Sequence, residues 1–264
     1  MIRSFVEVRR FSVETSDGKV VRVDQYITPV ALVYGFYPRW TAIVVQPYVV
    51  AHMSATAGGQ TTRQNLNGLG DLQLLVQYDG FYSRNAPGGL TRLSGVFGVE
   101  APTGAERFSP GAYQYTGGLI FEKVAKLKYA FTADFQYTVA TRNDQGLSIG
   151  DRAQFDAVPA YLLISRQEPS SDSRWFRKAF HRIFRNGAYI VLEFNGTWQG
   201  HAQQSGTDIA NTGGTTLSIS PGIQYFVGRR FLAEFSAQIP AVKDLDGVQP
   251  RPRTSYLVGF RFLF

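Results

Sequence analysis

Large apolar side chains alternate with small or polar ones along most of the chain. In "KYAFTADFQYTV" (128–139) the odd positions hold tyrosine, phenylalanine, alanine and valine, and most even positions hold threonine, aspartate, glutamine or lysine. The pattern recurs in "DLQLLVQYDGFY", "AYIVLEFNGTW", "FLAEFSAQIP" and the final "YLVGFRFLF". Because successive side chains of a strand point to opposite faces, each segment predicts a β-strand with one apolar and one polar face.

About twelve such segments follow one another, most of them near the length that a tilted strand needs to cross a bilayer. The first two are the least regular, because their alternation is poor. The predicted strands are 2–14, 20–37, 41–53, 69–83, 90–101, 111–123, 128–140, 151–165, 188–199, 214–227, 231–242 and 253–264.

Long polar connections take turns with short ones between these strands. The long ones include "SATAGGQTTRQNLNG", "TRNDQGLSIG" and "HAQQSGTDIANTGG", and the short ones include "YPRW" and "VGRR". This order is typical of a barrel whose two rims face different compartments. We therefore predict an all-β fold, in which residues 1–264 form one transmembrane, up-and-down antiparallel β-barrel domain.

The composition of the two faces indicates which one meets lipid. Tyrosine, tryptophan and phenylalanine lie toward the ends of the apolar faces, as in the aromatic girdles of membrane barrels. The polar faces are rich in glutamine, threonine, serine and acidic residues and poor in lysine, the usual solvent-facing residue of a soluble sheet. A soluble β-domain with its apolar faces inside is the alternative. We favour a barrel in a bacterial outer membrane, with its polar faces lining the lumen.

Composition argues against several other classes of protein. The 264 residues include three histidines and no cysteine, so no disulfide scaffold, metal site or cofactor is expected. No stretch approaches about 20 apolar residues, so no transmembrane helix is predicted. The formal charge of +7 is scattered apart from a cluster at 174–185, and no nucleic-acid motif accompanies it. The opening "MIRSFVEVRRFSVE" is strand-like, so we expect the secretory signal to be removed or to lie upstream.

Several segments, taken in order, resemble a known family. They are "YITPVALVYGFYPRWTAIVVQPYVV", "NGLGDLQLLVQY", "GVEAPTG", "QIP" and the final "VGFRFLF". In order and spacing they are similar to the outer-membrane family labelled as the MetA pathway of phenol degradation. The resemblance covers nearly the whole chain and implies an outer-membrane β-barrel transporter, without carrying over the substrate in the family's name. The chain departs from the family pattern in the basic segment 167–187.

Acidic side chains outnumber basic ones on the faces that this topology turns inward. The inward acids are Asp71, Asp79, Glu100, Glu122, Asp134, Asp156, Glu193 and Glu234, and the clearer inward bases are Arg92, Lys128 and Arg261. The predicted constriction consists of Gln73, Gln77, Asp134, Asp156, Glu193 and Glu234. We predict a narrow, weakly cation-preferring channel for small solutes, because about twelve strands enclose little free width.

The alternative is a solvated lumen without selectivity, in which neighbouring charges pair across strands. A hairpin turn at 123–127 would place Glu122 opposite Lys128, within reach of an ion pair. In the same way, Gly70–Asp71 and Pro102–Gly104 are expected to be structural junctions between loops and strands at the outer rim, since glycine and proline mark turns.

The segment "SRWFRKAFHRIFRNG" changes from a period of 2 to a period of 3.6. Trp175, Phe180 and Phe184 fall on one helical face, and Arg177 and Arg182 fall on the other. We predict a short amphipathic helix over 174–185 at the periplasmic rim, lying on anionic outer-membrane lipid. The alternative is a helix that plugs the barrel mouth or packs on the turns.

Two other classes of function stay open. Some outer-membrane barrels of this size are lipid-modifying hydrolases, and His52 with Ser54 or His201 with Ser205 lies near the outer rim. A serine–histidine pair needs contact and an orienting third group, which spacing alone does not show. A structural or docking barrel without transport is the other alternative.

The C-terminus supplies a first test. Phe264 and Phe262 end an alternating strand, and a terminal aromatic residue is the signal that similar barrels present to the barrel-insertion machinery. Deletion of Phe264 is expected to impair assembly, because this signal is lost. The measurement is the loss of the heat-modifiable folded band on a gel, and an unchanged folding yield would contradict the assembly role.

Overall fold

The computed structural model of the chain describes residues 1–15, 18–84, 89–125, 128–164, 187–227 and 230–263. Strands make up nearly all of the regular structure in these ranges. They are β1 (Ile2–Glu14), β2 (Val20–Tyr37), β3 (Trp40–Ala57), β4 (Gln60–Leu69), β5 (Leu72–Ser83), β6 (Leu90–Ala101), β7 (Gln114–Ala125), β8 (Tyr129–Ala140), β9 (Leu147–Ser148), β10 (Arg152–Ile164), β11 (Ala188–Gln199), β12 (Gln203–Gln204), β13 (Thr207–Asp208), β14 (Gly214–Val227), β15 (Phe231–Leu245), β16 (Arg251–Pro252) and β17 (Ser255–Phe262).

These strands close into one antiparallel barrel. Each wall strand pairs with its neighbours in the sequence, and β1 pairs both with β2 and with β17. Because β4 and β5 form one interrupted strand and β16 is a short extension of β17, the wall has twelve strands. The predicted all-β, up-and-down barrel is therefore confirmed. The short strands β9, β12 and β13 form a separate small sheet among the long connections.

The outside of the barrel is apolar, as the alternation predicts. Phe97, Leu119 and Val258 are 71%, 57% and 58% exposed, and they belong to a continuous apolar exterior. Water does not tolerate an apolar surface of this extent, whereas the hydrocarbon core of a bilayer does. At the short-turn rim, the Trp40 and Tyr78 rings lie 4.7 Å apart and form part of an aromatic girdle.

Two predictions concern residues beyond those that the structure describes. The helix predicted at 174–185, with Trp175, Arg177 and its other named residues, falls there, as does Phe264. Phe262 is described and lies on the lipid-facing side of β17. Within the described ranges, no helix is long and apolar enough to cross a membrane.

The segment 54–68 differs from its prediction as a long loop. It extends β3 and β4 into a hairpin that turns at Gly58 and Gly59, both with positive φ (55° and 78°). Polar side chains lie opposite each other in this hairpin, as with the hydroxyls of Thr56 and Thr61, which are 3.0 Å apart. The alternation signal is weak here because neither face meets lipid or an apolar core.

The inner face of β2 and β3 explains the poor alternation of the first strands. Inward positions on these strands are apolar and pair directly, Ile27 with Val49, Ala31 with Val45 and Val33 with Ile43. Many outward side chains, such as Val30 and Leu32, are apolar as well, so the two faces of these strands are hard to tell apart in the sequence. The lumen therefore has an apolar wall on β2 and β3 and a polar wall on most other strands.

A close backbone contact accompanies the interruption between β4 and β5. The Gly70 amide donates to the Pro47 carbonyl on β3 at 2.9 Å. Pro47 has no amide hydrogen for the ladder, and a Cβ at Gly70 would lie 2.8 Å from the Pro47 ring. Only glycine lets these two segments approach without displacing the proline ring.

Substitution of Gly70 tests this contact. Gly70→Ala is expected to lower the free energy of unfolding by about 1–3 kcal/mol, because the added methyl group overlaps Pro47. Gly117→Ala is the matched control, since a Cβ there meets nothing within 4 Å, and its effect should stay within about 0.5 kcal/mol. Urea unfolding of the refolded barrels measures both. If Gly70→Ala and Gly117→Ala were equally stable, the close contact between Gly70 and Pro47 would not require glycine at position 70.

Candidate functional site

Three carboxylates lie on adjacent strands of the polar inner wall. Asp134 on β8 is directly opposite Asp156 on β10, and Asp156 is opposite Asn195 on β11. Glu193 lies two residues before Asn195, on the same face. These positions share their side with the half-buried polar residues and not with the exposed aromatic ones. The structure thus brings together three of the six predicted constriction residues.

Amide and hydroxyl groups hold part of this cluster in place. The Asn195 amide donates to the Asp156 carboxylate at 2.6 Å, and the Ser220 hydroxyl donates to the Asn195 side-chain oxygen at 2.7 Å. The Gln136 amide donates to Asp134 at 3.2 Å. Neutral donors therefore solvate two of the carboxylates, and they leave the negative charges in place.

No cation neutralises the cluster at close range. Within the described ranges, neither Asp134, Asp156 nor Glu193 forms an ion pair. Two carboxylates on directly opposed residues repel each other, and a nearby low-dielectric wall strengthens that repulsion. The described residues contain no group of three or more histidine or acidic side chains arranged to hold a metal ion.

The two glutamines of the predicted constriction, Gln73 and Gln77, donate hydrogen bonds to other carboxylates of the inner wall. Gln73 donates to Glu100 at 2.5 Å, and Gln114 donates to the other oxygen of Glu100 at 2.9 Å. Gln77 donates to Asp79 at 3.0 Å and to the Ser94 hydroxyl at 3.2 Å. These contacts line β5, β6 and β7 with an amide–carboxylate network.

Two other acidic residues of the inner wall share one arginine. Arg92 pairs with Asp79 at 3.3 Å and with Glu122 on the next strand. The prediction that Glu122 lies opposite Lys128 is wrong, because β7 and β8 turn later and place Glu122 opposite Thr132. The Lys128 ammonium instead lies 5.0 Å from the centre of the Tyr161 ring. Because the register error is an even number of residues, the predicted faces are still right.

Glu234 occupies a different setting from the other predicted constriction residues. Its carboxylate accepts from Arg3 on β1 at 3.1 Å and from Arg261 on β17 at 2.9 Å, and its side chain is only 6% exposed. This three-residue cluster, called the seam cluster below, links β15 to the two strands that close the barrel. Its charge is offset by two guanidinium groups, so Glu234 adds no unpaired negative charge to the lumen.

Sequence reasoning missed several inward arginines, among them Arg3 and Arg152. Arg152 shares its parity with Gln154 and Asp156, so the alternation of β10 contained the signal. Phe5 is the next inward residue after Arg3 on β1, and its ring centre lies 5.0 Å from the Arg3 guanidinium. Because β1 carries an apolar residue on its inner face, its alternation does not show that this face also carries charged residues.

The glycine and proline junctions at the outer rim are structural contacts. Asp71 is 3% exposed, and its carboxylate accepts from the Gly104 amide at 2.8 Å and the Ser109 hydroxyl at 2.9 Å. A Cβ at Gly104 would lie 2.7 Å from the Gly70 backbone. Asp71 therefore fastens the connection between β6 and β7 to the wall and is unavailable to solutes.

The candidate hydrolase residues do not form serine–histidine pairs. The His52 ring is 2.7 Å from the Asn65 side-chain oxygen, and His201 lies 3.6 Å from the Asp246 carboxylate. The Ser205 amide donates to the Gly146 carbonyl at 2.8 Å in the small outer sheet. Neither arrangement provides an activated nucleophile.

Comparison with models of protein families shows to which family the chain belongs. Residues 10–241 match the model of a family described as "Putative MetA-pathway of phenol degradation". The chain belongs to this family. The resemblance inferred from the sequence is thus confirmed. No match is found among functionally curated proteins.

Solved structures of membrane barrels are similar to this member of the family. An outer membrane channel from Pseudomonas putida F1 matches with a TM-score of 0.69 at 14% identity, covering 100% of this chain and 95% of that chain. The transport unit of the autotransporter AIDA-I from Escherichia coli matches at 0.54 and 11% identity, covering 100% and 90%. The NanC porin matches at 0.50 and 14% identity, covering 98% and 100%. Together with the apolar exterior, this shared fold makes the chain an outer-membrane β-barrel in contact with lipid.

The seam cluster gives a stability test. Glu234→Gln is expected to lower the free energy of unfolding by about 1–3 kcal/mol, because Arg3 and Arg261 then repel each other without a shared anion. The control is Asp24→Asn, which removes an exposed ion pair with Arg10 at 3.9 Å and should change stability by about 0–1 kcal/mol. Urea unfolding measures both variants. An equal effect would show that the seam cluster contributes no more than a surface pair.

Proposed function

We propose that the chain is an outer-membrane channel for small solutes, with a narrow lumen and a weak preference for cations. The observation that carries the proposal is the set of three unpaired carboxylates, Asp134, Asp156 and Glu193, on one side of the inner wall. Their positions on β8, β10 and β11 place them within the span of the barrel wall, between the two rims.

Charge has its largest effect on permeation where bulk water is scarce. A carboxylate inside a narrow, low-dielectric wall attracts a passing cation more strongly than one at an open rim. The other acids of the inner wall are offset by Arg3, Arg92 and Arg261 or engaged by glutamine amides. The preference therefore depends on a few charges, which is why we propose that it is weak.

The apolar wall on β2 and β3 indicates which kind of solute the proposed channel would favour. Inward Val45, Pro47 and Val49 on β3 face a lumen whose opposite side carries hydrogen-bonding groups. A solute with one polar and one apolar side would contact both walls favourably, because burial of apolar area adds to its polar contacts. The channel is therefore proposed for small solutes that carry an apolar group as well as for ions.

Assembly is a second part of the proposal. Phe262 lies on the lipid-facing side of the last strand, which pairs with β1 and closes the barrel. A terminal strand with an exposed aromatic face offers the barrel-insertion machinery an edge that stays free until closure. We therefore propose that β17, together with Phe264, is the segment recognised during insertion.

The measurement for the channel is the reversal potential across a planar bilayer under a potassium chloride gradient. For the parent chain we expect a reversal potential whose sign indicates that potassium permeates more readily than chloride. The double variant Asp134→Asn, Glu193→Gln should move it toward zero, because two of the three unpaired carboxylates are removed.

Asp24→Asn serves as the control, because it removes one acidic charge at an exposed position outside the cluster. Anion preference in the parent chain, or no change in the double variant, would contradict the acidic constriction. Absence of conductance in a folded parent chain would contradict the channel itself and favour a docking barrel.

A further inference from the structure

A small polar cavity lies beside the start of β10, in the half of the lumen nearest the long connections. Its volume is about 110 Å³. Arg152 and Gln154 contribute from β10, Gln136 and Thr138 from β8, and Thr116 from β7. None of the three carboxylates of the proposed constriction lines it.

Arg152 is a half-buried cation without an anionic partner. Within the described ranges no carboxylate lies within 4 Å of its guanidinium, and its Nε is buried without a hydrogen-bond acceptor. A buried guanidinium N–H that lacks an acceptor is costly, so the native environment normally supplies one. The Nε itself is out of reach of a solute, so an acceptor from outside the chain would have to approach Arg152 from the cavity that it lines.

The neighbouring acid does not fill this role. Glu100 lines the same cavity, but Gln73 donates to one of its oxygens and Gln114 to the other. Arg9, the other guanidinium that influences Arg152 electrostatically, is already bound by Glu7 at 2.7 and 3.0 Å. Glu100 attracts Arg152 but lies beyond ion-pair distance, so Arg152 has no carboxylate in direct contact within the described part of the chain.

Neutral donors surround this charge. Gln154, the next inward residue on β10, also lines the cavity, and its side-chain amide forms no hydrogen bond with the described part of the chain. The hydroxyls of Thr116 and Thr138 lie 2.9 Å apart on the adjacent strands. A planar guanidinium with amide and hydroxyl donors beside it is the arrangement that binds a carboxylate through two parallel hydrogen bonds.

We infer that this cavity is a binding subsite for the carboxylate group of a small organic acid. Its volume is enough for a carboxylate with several waters, because one water needs only about 10–15 Å³ of cavity volume measured in this way, and the rest of the solute would extend into the lumen. The inference rests on the proposed function in one respect, since it takes the lumen to be reached by solutes. It goes beyond that proposal by naming the solute group and the residue that binds it.

The test uses the refolded full chain in detergent micelles, with sodium acetate as the probe. Saturation-transfer NMR on the acetate methyl group, at constant ionic strength, gives the concentration for half-saturation. Arg152→Gln is expected to raise that concentration at least about tenfold, because the charge and the two-pronged contact are both lost. Arg152→Lys keeps the charge without the planar fork and should give a smaller, several-fold loss.

Arg92→Gln is the matched control, because it removes the same charge from the same lumen at a guanidinium that Asp79 and Glu122 already occupy. The heat-modifiable band confirms that each variant folds, and Arg152→Lys alone carries the test if Arg152→Gln does not. Binding that is lost at Arg152 and kept in Arg92→Gln supports the subsite. Absence of saturable binding, or an equal loss in both variants, overturns it.

Two further outcomes separate this inference from the channel proposal. Conductance in a bilayer without acetate binding would overturn the subsite and leave the channel standing. Acetate binding without conductance would support the subsite and contradict the channel. A parallel titration with inorganic phosphate is included, and saturable phosphate binding without acetate binding would overturn the assignment to carboxylates.

Discussion

The pairing of β1 with β17 is the contact on which the rest of the structure depends. In hydrocarbon an unpaired backbone N–H or C=O costs several kcal/mol, so an open sheet edge is not tolerated there. The ladder from Ile2 opposite Phe262 to Val8 opposite Tyr256 removes the last two edges. Once the wall is closed, each strand has an outside in lipid and an inside in a shared lumen. The period-2 pattern of the sequence follows directly from that division.

Closure also determines where charge is useful and where it is structural. The seam cluster joins Arg3 and Arg261, which are separated by nearly the whole chain, through one carboxylate on β15. The charges of the seam cluster are structural, because their pairing holds the strands together. Asp134, Asp156 and Arg152 have no such partner in the described part of the chain. In the proposed channel, the unpaired charges are therefore the ones that would act on a solute.

Alternation alone predicts the faces, because lipid and lumen impose opposite demands on neighbouring residues. It fails where that contrast is missing. In β2 and β3 the lumen side is apolar as well, and in 54–68 neither face meets lipid, so the hairpin there is invisible to the pattern. Register is a separate matter. Glu122 pairs with Thr132 because of where the β7–β8 turn lies, and alternation is the same for any even shift. Contacts between strands such as Arg3 with Glu234 therefore require the three-dimensional structure.

A carboxylate subsite and a cation preference can coexist in one lumen because they lie at different depths. Arg152 and Asp156 are four residues apart on β10, which corresponds to about 13 Å along the strand at about 3.3 Å per residue. Coulomb attraction falls with distance, so each group acts most strongly on its own section of the lumen. If both proposals hold, a solute that enters past Arg152 would be held by its carboxylate before any cationic part of it reaches Asp156 and Asp134. The order of the two charges along β10 would then set the orientation in which an organic acid enters.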